Sequence, residues 1–304
     1  MSTRRNVLLL AGLAAMLAAT PALAQDKVKD RIKAVASFSI LGDLAKNVGG
    51  DRIELATLVG PNGDAHVFSP TPGDARTLGA AKVVFVNGLG LEGWMTRLVK
   101  ASGTKAPMVV ASKGIRPRQM ADEDHPGKEL TDPHAWQSIA NARIYVANIR
   151  EALSQVDPAG KSAYASNAKA YLARLDALEK EVRATIAKIP TDHRKIITTH
   201  DAFGYFRAAY GMEFIAPEGV STDAEPSAKD VAKIIAQIRK QKIPAVFMEN
   251  ISDPRMMWQI AKESGAKIGG TLYSDALSKP NGPAGSYIDM MRNNIREFAK
   301  ALTS

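Results

Sequence analysis

The sequence predicts an α/β protein of two lobes, each with a roughly four-stranded parallel sheet flanked by helices, bridged by one long rigid helix. Three observations predict it. Two sets of four short apolar runs each alternate with longer amphipathic stretches. The runs are nearly continuous in apolar residues, as expected of parallel strands covered on both faces. Between the two sets a helical pattern continues without a strong breaker up to Pro190. A length of 304 residues is consistent with this, at roughly 100–200 residues per domain.

Residues 1–24 read as a secretory signal peptide: Arg4 and Arg5 supply a basic start, 6–19 are almost wholly apolar, and Ala22-Leu23-Ala24 is a small-x-small cleavage site. The apolar run falls short of the about 20 residues a membrane span needs. The arginine pair also faintly resembles a twin-arginine signal, but an ordinary basic start is the reading taken. With no cysteine in the chain there is no acceptor for a bacterial lipid anchor, so a soluble periplasmic protein is expected. The N-terminal lobe, 25–156, has strands expected at 33–37, 53–59, 82–87 and 107–111, with helices over 41–48, 72–80 and 93–101. The linking helix, 157–190, starts with Asp157 as N-cap and Pro158 in the first turn and stops at Pro190. Leu172, Leu175, Leu178, Val182 and Ile186 form one apolar stripe along it. About thirty helical residues would span about 45 Å and act as a strut that limits lobe movement. The C-terminal lobe, 191–304, has strands expected at 195–199, 213–216, 245–249 and 266–271, with helices over 203–210, 228–241, 254–264 and 286–301.

Composition removes several kinds of function. Zero cysteines exclude disulfides, thiolate nucleophiles and iron–sulfur clusters, so a metal site must use His, Asp, Glu or backbone oxygen. The net charge of +9 is scattered and not interleaved with aromatics, which reads as a solvated surface and argues against nucleic acid. Gly88-Leu89-Gly90-Leu91-Glu92-Gly93 fits a dinucleotide fingerprint, but the next strand, Pro107-Met108-Val109-Val110-Ala111-Ser112, ends without the required acid, so a tight turn is expected there. Neither Gly-x-Ser-x-Gly nor His-Glu-x-x-His occurs. The eleven methionines are dispersed, and Met256 and Met257 read as helix packing.

Among five histidines, three stand at the ends of regular elements: His66 after a strand and a turn-rich segment, His134 before a helix, and His200 directly after a strand. Asp275 follows the last strand in the same way. Ligands of open α/β sheets bind at the carboxyl ends of strands. Three imidazoles and a carboxylate suit tetrahedral zinc. No short-range ligand spacing ties the four together, so position alone favours four independent loop residues, each satisfied by a hydrogen bond, over a metal site.

Gly63-Asp64-Ala65-His66-Val67-Phe68-Ser69-Pro70-Thr71-Pro72, Asp132-Pro133-His134-Ala135-Trp136 and Thr199-His200-Asp201-Ala202-Phe203-Gly204-Tyr205-Phe206 resemble, in that order, segments of the periplasmic binding proteins of zinc and manganese ABC transporters, the cluster A-I family. Asn87 to Trp94 and Gly219 to Ser227 resemble two more, and the similarity spans nearly all of the chain after the signal. The resemblance implies two α/β lobes joined by a long helix, a metal in the cleft between them, and His66, His134, His200 and Asp275 as its ligands. Manganese-type members tend to carry Glu at the third ligand position; His200 there favours Zn(II). The implied function is periplasmic capture of Zn(II) and delivery to the membrane permease of a zinc ABC transporter, with a periplasmic metallochaperone as a candidate further partner and a monomer expected. Four protein ligands leave no open position for an activated water, so no enzyme activity is expected.

Three further residues are candidates for auxiliary roles. Asp201 is a candidate acceptor for a ligand N–H, or a charge near a helix N-terminus. Glu249 ends a strand; a hydrogen bond to loop backbone is its expected use, and a place beside the metal the alternative. Many zinc-type relatives carry a long His- and acid-rich loop before the second ligand; here 116–130 holds Asp122, Glu123, Asp124 and His125, expected to be a solvated loop, with weak auxiliary metal binding by His125 the alternative. His193 is expected at the surface. The rival functions are a manganese or iron binding protein of the same fold, an exported zinc-dependent hydrolase with Asp275 or Glu249 as base, and an adhesin.

Overall fold

Val83–Val86 is a strand, β3, in which every residue is buried, and its neighbour β1 (Ile32–Phe38) is buried over its last five residues. Strands so apolar on both faces must lie inside a covered parallel sheet. In the computed structural model, which describes residues 31–121, 129–224 and 226–303, they form the centre of a four-stranded parallel sheet in the order β2-β1-β3-β4, with β2 at Ile53–Val59 and β4 at Met108–Val110. A second four-stranded parallel sheet has the order β10-β9-β7-β8, with β7 at Lys195–Ile197, β8 at Glu213–Ile215, β9 at Ala245–Glu249 and β10 at Lys267–Leu272. All eight expected strands are present. The expected signal peptide and His125 lie outside the described residues.

Helices α1 (Ser39–Gly49), α2 (Pro72–Gly79), α3 (Met95–Ser102) and α4 (Ile139–Val156) accompany the first sheet. Helices α6 (Gly204–Tyr210), α7 (Ala228–Gln241), α8 (Arg255–Ser264) and α9 (Tyr287–Leu302) accompany the second. Their starts follow local chemistry. Thr71 and Asp74 form a reciprocal capping box with Pro72 in the first turn, and Ser227 and Ser286 cap α7 and α9 by accepting from Asp230 and Asp289.

Between the sets lies α5, Lys161–Ala187, 27 residues and about 40 Å long. It buries Tyr164, Ala168, Tyr171, Leu175, Leu178, Val182 and Ile186, a stripe at three- and four-residue spacing. Its first half is tied to the first-sheet side: Asn167 Nδ2 donates to the Val48 carbonyl at 3.0 Å, and the Tyr171 hydroxyl to Asp43 at 3.4 Å. Its second half is tied to the other side: Glu179 accepts from the Tyr210 hydroxyl at 2.7 Å, and Glu181 pairs with Arg292 at 2.9 Å. One apolar core runs from β1 through α5 to α9, and a smaller one fills the face of the second sheet beneath α7 and α8.

Asp157 is not the cap of the long helix. A 3-10 turn, Pro158–Gly160, intervenes, and the Asp157 carboxylate accepts instead from Arg52 Nε at 2.9 Å and from the Tyr164 hydroxyl at 2.6 Å. An antiparallel hairpin, β5 (Arg118–Ala121) with β6 (Glu129–Asp132), has no counterpart among the expected elements. The glycine-rich segment after β3 is a tight turn, with Gly88 and Gly90 at φ of 78° and 88°. The backbone N–H groups of Asn87 and Gly88, which a phosphate would need, are occupied by the half-buried Glu92 carboxylate at 2.6 and 3.1 Å. His193 is half-buried rather than a free surface residue, with its Nδ1 2.9 Å from the Leu302 carbonyl. Among the described residues no helix is long and apolar enough to cross a membrane.

Candidate metal centre

Each sheet has a switch point, where successive connections leave in opposite directions: between β1 and β3 in the first, between β7 and β9 in the second. The crevice at the carboxyl ends of such strands is where α/β sheets bind ligands. His200 lies just past the end of β7, Glu249 ends β9, and Asp275 follows β10. His66 comes from the loop between β2 and α2, and His134 from the turn between β6 and α4. Asn87, at the end of β3, anchors that turn by donating to the Pro133 carbonyl at 2.9 Å.

His66, His134, His200 and Asp275 each present one donor atom, all within 4.8 Å of one another. Asp275 Oδ2 is 3.1 Å from His66 Nε2, 3.5 Å from His134 Nε2 and 3.1 Å from His200 Nε2. The Nε2 atoms of His66 and His134 are 3.2 Å apart. Donors placed about 2.0–2.1 Å from a tetrahedral ion are about 3.3–3.4 Å from each other, so these four separations bracket a tetrahedron's edge. The side chains of His134, His200 and Asp275 are fully buried, and that of His66 is 5% exposed. Asp275 Oδ1 is buried without a hydrogen-bond partner.

Behind the donors stands a layer of carboxylates. Asp132 Oδ1 lies 2.9 Å from His134 Nδ1 and also accepts the backbone N–H of His134 at 2.9 Å. Glu249 Oε2 lies 2.7 Å from His200 Nδ1, and its Oε1 accepts the N–H groups of Thr199 and His200 at 2.8 and 3.0 Å. The hydrogen bond of Asp132 to Nδ1 fixes the His134 tautomer that leaves its Nε2 lone pair aimed inward, while Glu249 sets a negative charge beside His200 Nδ1. Glu249 makes the hydrogen bonds to loop backbone expected of it, and its other oxygen lies beside the His200 ring. Asp201 does not accept from either ring; Asp132, which sequence reasoning missed, holds that place beside His134. The signal was there in Asp132-Pro133-His134, where an acid two residues before the histidine can turn back onto it. Asp132 is backed by Arg118 Nε at 3.5 Å, and a Cβ in place of Gly204 would come within 2.5 Å of Asp132 Oδ2.

The clustered side chains from the two sides are also linked through a backbone carbonyl. Trp136 Nε1 and Gln137 Nε2 both donate to the Ser274 carbonyl, at 2.9 and 2.8 Å, next to Asp275. The Tyr287 hydroxyl donates to the Trp136 carbonyl at 2.7 Å.

The electrostatics call for positive charge at the centre. Burial opposes a charge on His134, but Asp275 and Asp132 outweigh it and the imidazole is pushed up to about 9. His200 is held well above the ordinary histidine value, with burial overcome by Glu249 and Asp275. Burial would raise Asp275, yet the imidazoles of His134 and His200 hold it well below the usual carboxylate range. Asp201 is raised, by burial first and by Asp132 second. A cluster of this kind binds either protons or a cation, and a divalent ion at its centre would satisfy every inward-facing donor at once.

The family described as zinc-uptake complex component A, periplasmic, matches residues 34–301. The chain is 33% identical to the iron-binding protein YfeA of Yersinia pestis, over 93% of this chain and 91% of that one. It is 32% identical to the manganese ABC transporter substrate-binding lipoprotein PsaA of Streptococcus pneumoniae, over 97% and 96%. Among solved structures, the periplasmic zinc binding protein TroA from Treponema pallidum superposes with a TM-score of 0.84 at 30% identity, covering 90% of this chain and 100% of that one. A manganese-bound mutant of a periplasmic metal binding protein from candidatus liberibacter asiaticus gives 0.81 at 31% identity, with the same coverage.

Proposed function

The chain belongs to the periplasmic zinc-uptake complex component A family, the metal-binding substrate-binding proteins of ABC transporters, and from that premise we propose that it captures Zn(II) on His66, His134, His200 and Asp275 and delivers it to a membrane permease. The observation that carries this reading is the donor set itself: three imidazole nitrogens and one carboxylate oxygen at tetrahedral edge lengths. Nitrogen donors favour zinc over manganese, and the general affinity order of divalent ions points the same way. Four protein donors fill a tetrahedral ion, which supports capture over hydrolysis. The working parts are the two lobes, 25–156 and 191–304, with the linking segment 157–190 between them. Several relatives are named as lipoproteins, whereas the 304 residues here contain no cysteine.

A second reading, manganese or iron, draws on one observation. Asp275 Oδ1 is buried and unpartnered, so the carboxylate has a second oxygen to offer an ion that takes more than four donors. Competition separates the two. Protein loaded from an equimolar mixture of Zn(II) and Mn(II) and analysed for bound metal should retain zinc, and Ala at each of His66, His134, His200 and Asp275 should deplete it. Retention of manganese would reverse the metal assignment, and unchanged content in all four variants would remove the site.

A further inference from the structure

The four donors differ in how they are held. His134, His200 and Asp275 sit in turns locked from behind by Asp132, Glu249 and the Ser274 linkage. His66 belongs to a largely exposed or half-exposed segment, and its neighbour Val67 is 49% exposed. That segment follows the first sheet, yet most of its described tethers reach the other side of the molecule. Asn62 N–H donates to the Leu277 carbonyl at 2.9 Å, and Asn250 Nδ2 donates to Asn62 Oδ1 at 3.0 Å. The tether next to the ligand is Asp64. Its Oδ1 accepts the backbone N–H of His66 at 2.8 Å, and its Oδ2 accepts the Thr222 hydroxyl at 2.5 Å. The remaining tether, Trp94 Nε1 to the Ala65 carbonyl at 2.8 Å, stays within the first-sheet side.

We propose that Asp64 is the positioning residue of His66 and that its bond to Thr222 is the latch setting how fast the metal leaves. The inference rests on the metal-capture reading above. One carboxylate holds the ligand's backbone with one oxygen and the opposite side of the cleft with the other. While the bond to Thr222 stands, His66 is kept against Asp275 Oδ2. When it breaks, His66 can swing outward with its exposed segment, and three buried donors remain as a platform from which the ion is lost or taken. A hydroxyl bonded to an ionised carboxylate is a charge-assisted contact, stronger than a neutral pair.

The test compares release of Zn(II) from the full-length protein into excess chelator, by stopped flow, for wild type, Thr222→Val, Thr222→Ser and Asp64→Ala. Thr222→Val keeps the shape and removes the donor, so release should be roughly 10- to 100-fold faster, with the variant still folding cooperatively and bound zinc per chain unchanged. Thr222→Ser restores a hydroxyl and should restore the wild-type rate. Asp64→Ala removes both bonds and should release fastest. Release from Thr222→Val at the wild-type rate, or from Thr222→Ser as fast as from Thr222→Val, overturns the latch and leaves zinc capture standing. A wild-type protein that takes up no zinc overturns both.

Discussion

Two carboxylates, Asp132 and Glu249, meet the outward nitrogens of His134 and His200 at 2.9 and 2.7 Å, and each is the cheapest place to detune the site without removing a ligand. Asp132→Asn keeps the volume but loses the charge that fixes the tautomer of His134. Zinc affinity should fall about 10- to 100-fold, read by chelator competition, while the protein still binds zinc; no change would show that the ring is oriented by its packing alone. The same charges set the pH dependence. His134 stands at about 9 in the folded metal-free protein, above its ordinary value of 6.5. Its protonated form therefore stabilises the metal-free fold fully below pH ~6.5, and that contribution is lost as the pH rises through about 9. Zinc bound to this ring, as proposed above, would have to displace the proton, so its binding should tighten over the same interval. Thermal unfolding across it should show the metal-free midpoint falling with pH while the increment added by zinc grows. An increment that shrinks with rising pH would contradict the assignment.

At the scale of elements, the long helix makes a sharp prediction. Leu175 is fully buried in the middle of α5, within the core shared by both sides. Leu175→Ala should cost about 2–5 kcal/mol in urea unfolding of the metal-free protein and leave the release rate of zinc nearly unchanged, because no donor or tether rests on it. A large change in release would mean that the helix steers the site directly. This scale also shows what was legible in the sequence and why. The central strands β1, β3 and β9 and the helix α5 were legible because buried parallel strands and a one-sided helix each leave a clear apolar pattern, and the flanking strands followed from the alternation with helices. The β5–β6 hairpin was not, because Arg118, Gln119, Thr131 and Asp132 carry no alternation of apolar and polar residues and the pairing is set by tertiary contacts. Asp157 misled because a cap is chosen by geometry, and Arg52, distant in sequence, claimed its carboxylate. The four side chains that the fold brings together could be picked out since few histidines exist and three stand at element ends. Glu249 reaches His200 only through the pairing of β7 with β9, which no local motif records.

For the whole molecule, the question is how far the two sides can move when a metal arrives. A wide hinge needs a linker that bends and an interface that parts. Here the linker is a continuous 27-residue helix, and one apolar core passes from β1 through it to α9. The Ser274 carbonyl is held across the cleft by Trp136 and Gln137, both fully buried. Parting the sides would expose those groups, whereas freeing the His66 segment breaks contacts that are already partly solvated. Loading should therefore be a local event, the closing of one loop on a standing platform. Since the chain has no cysteines, a pair introduced at exposed positions, Lys100→Cys on α3 and Lys240→Cys on α7, can be spin-labelled without interference. The distance between the labels should change by less than about 2 Å when zinc is added, while a label at Val67→Cys becomes less mobile. A change well above that between α3 and α7 would mean that the halves close as rigid bodies and that the core joining them yields.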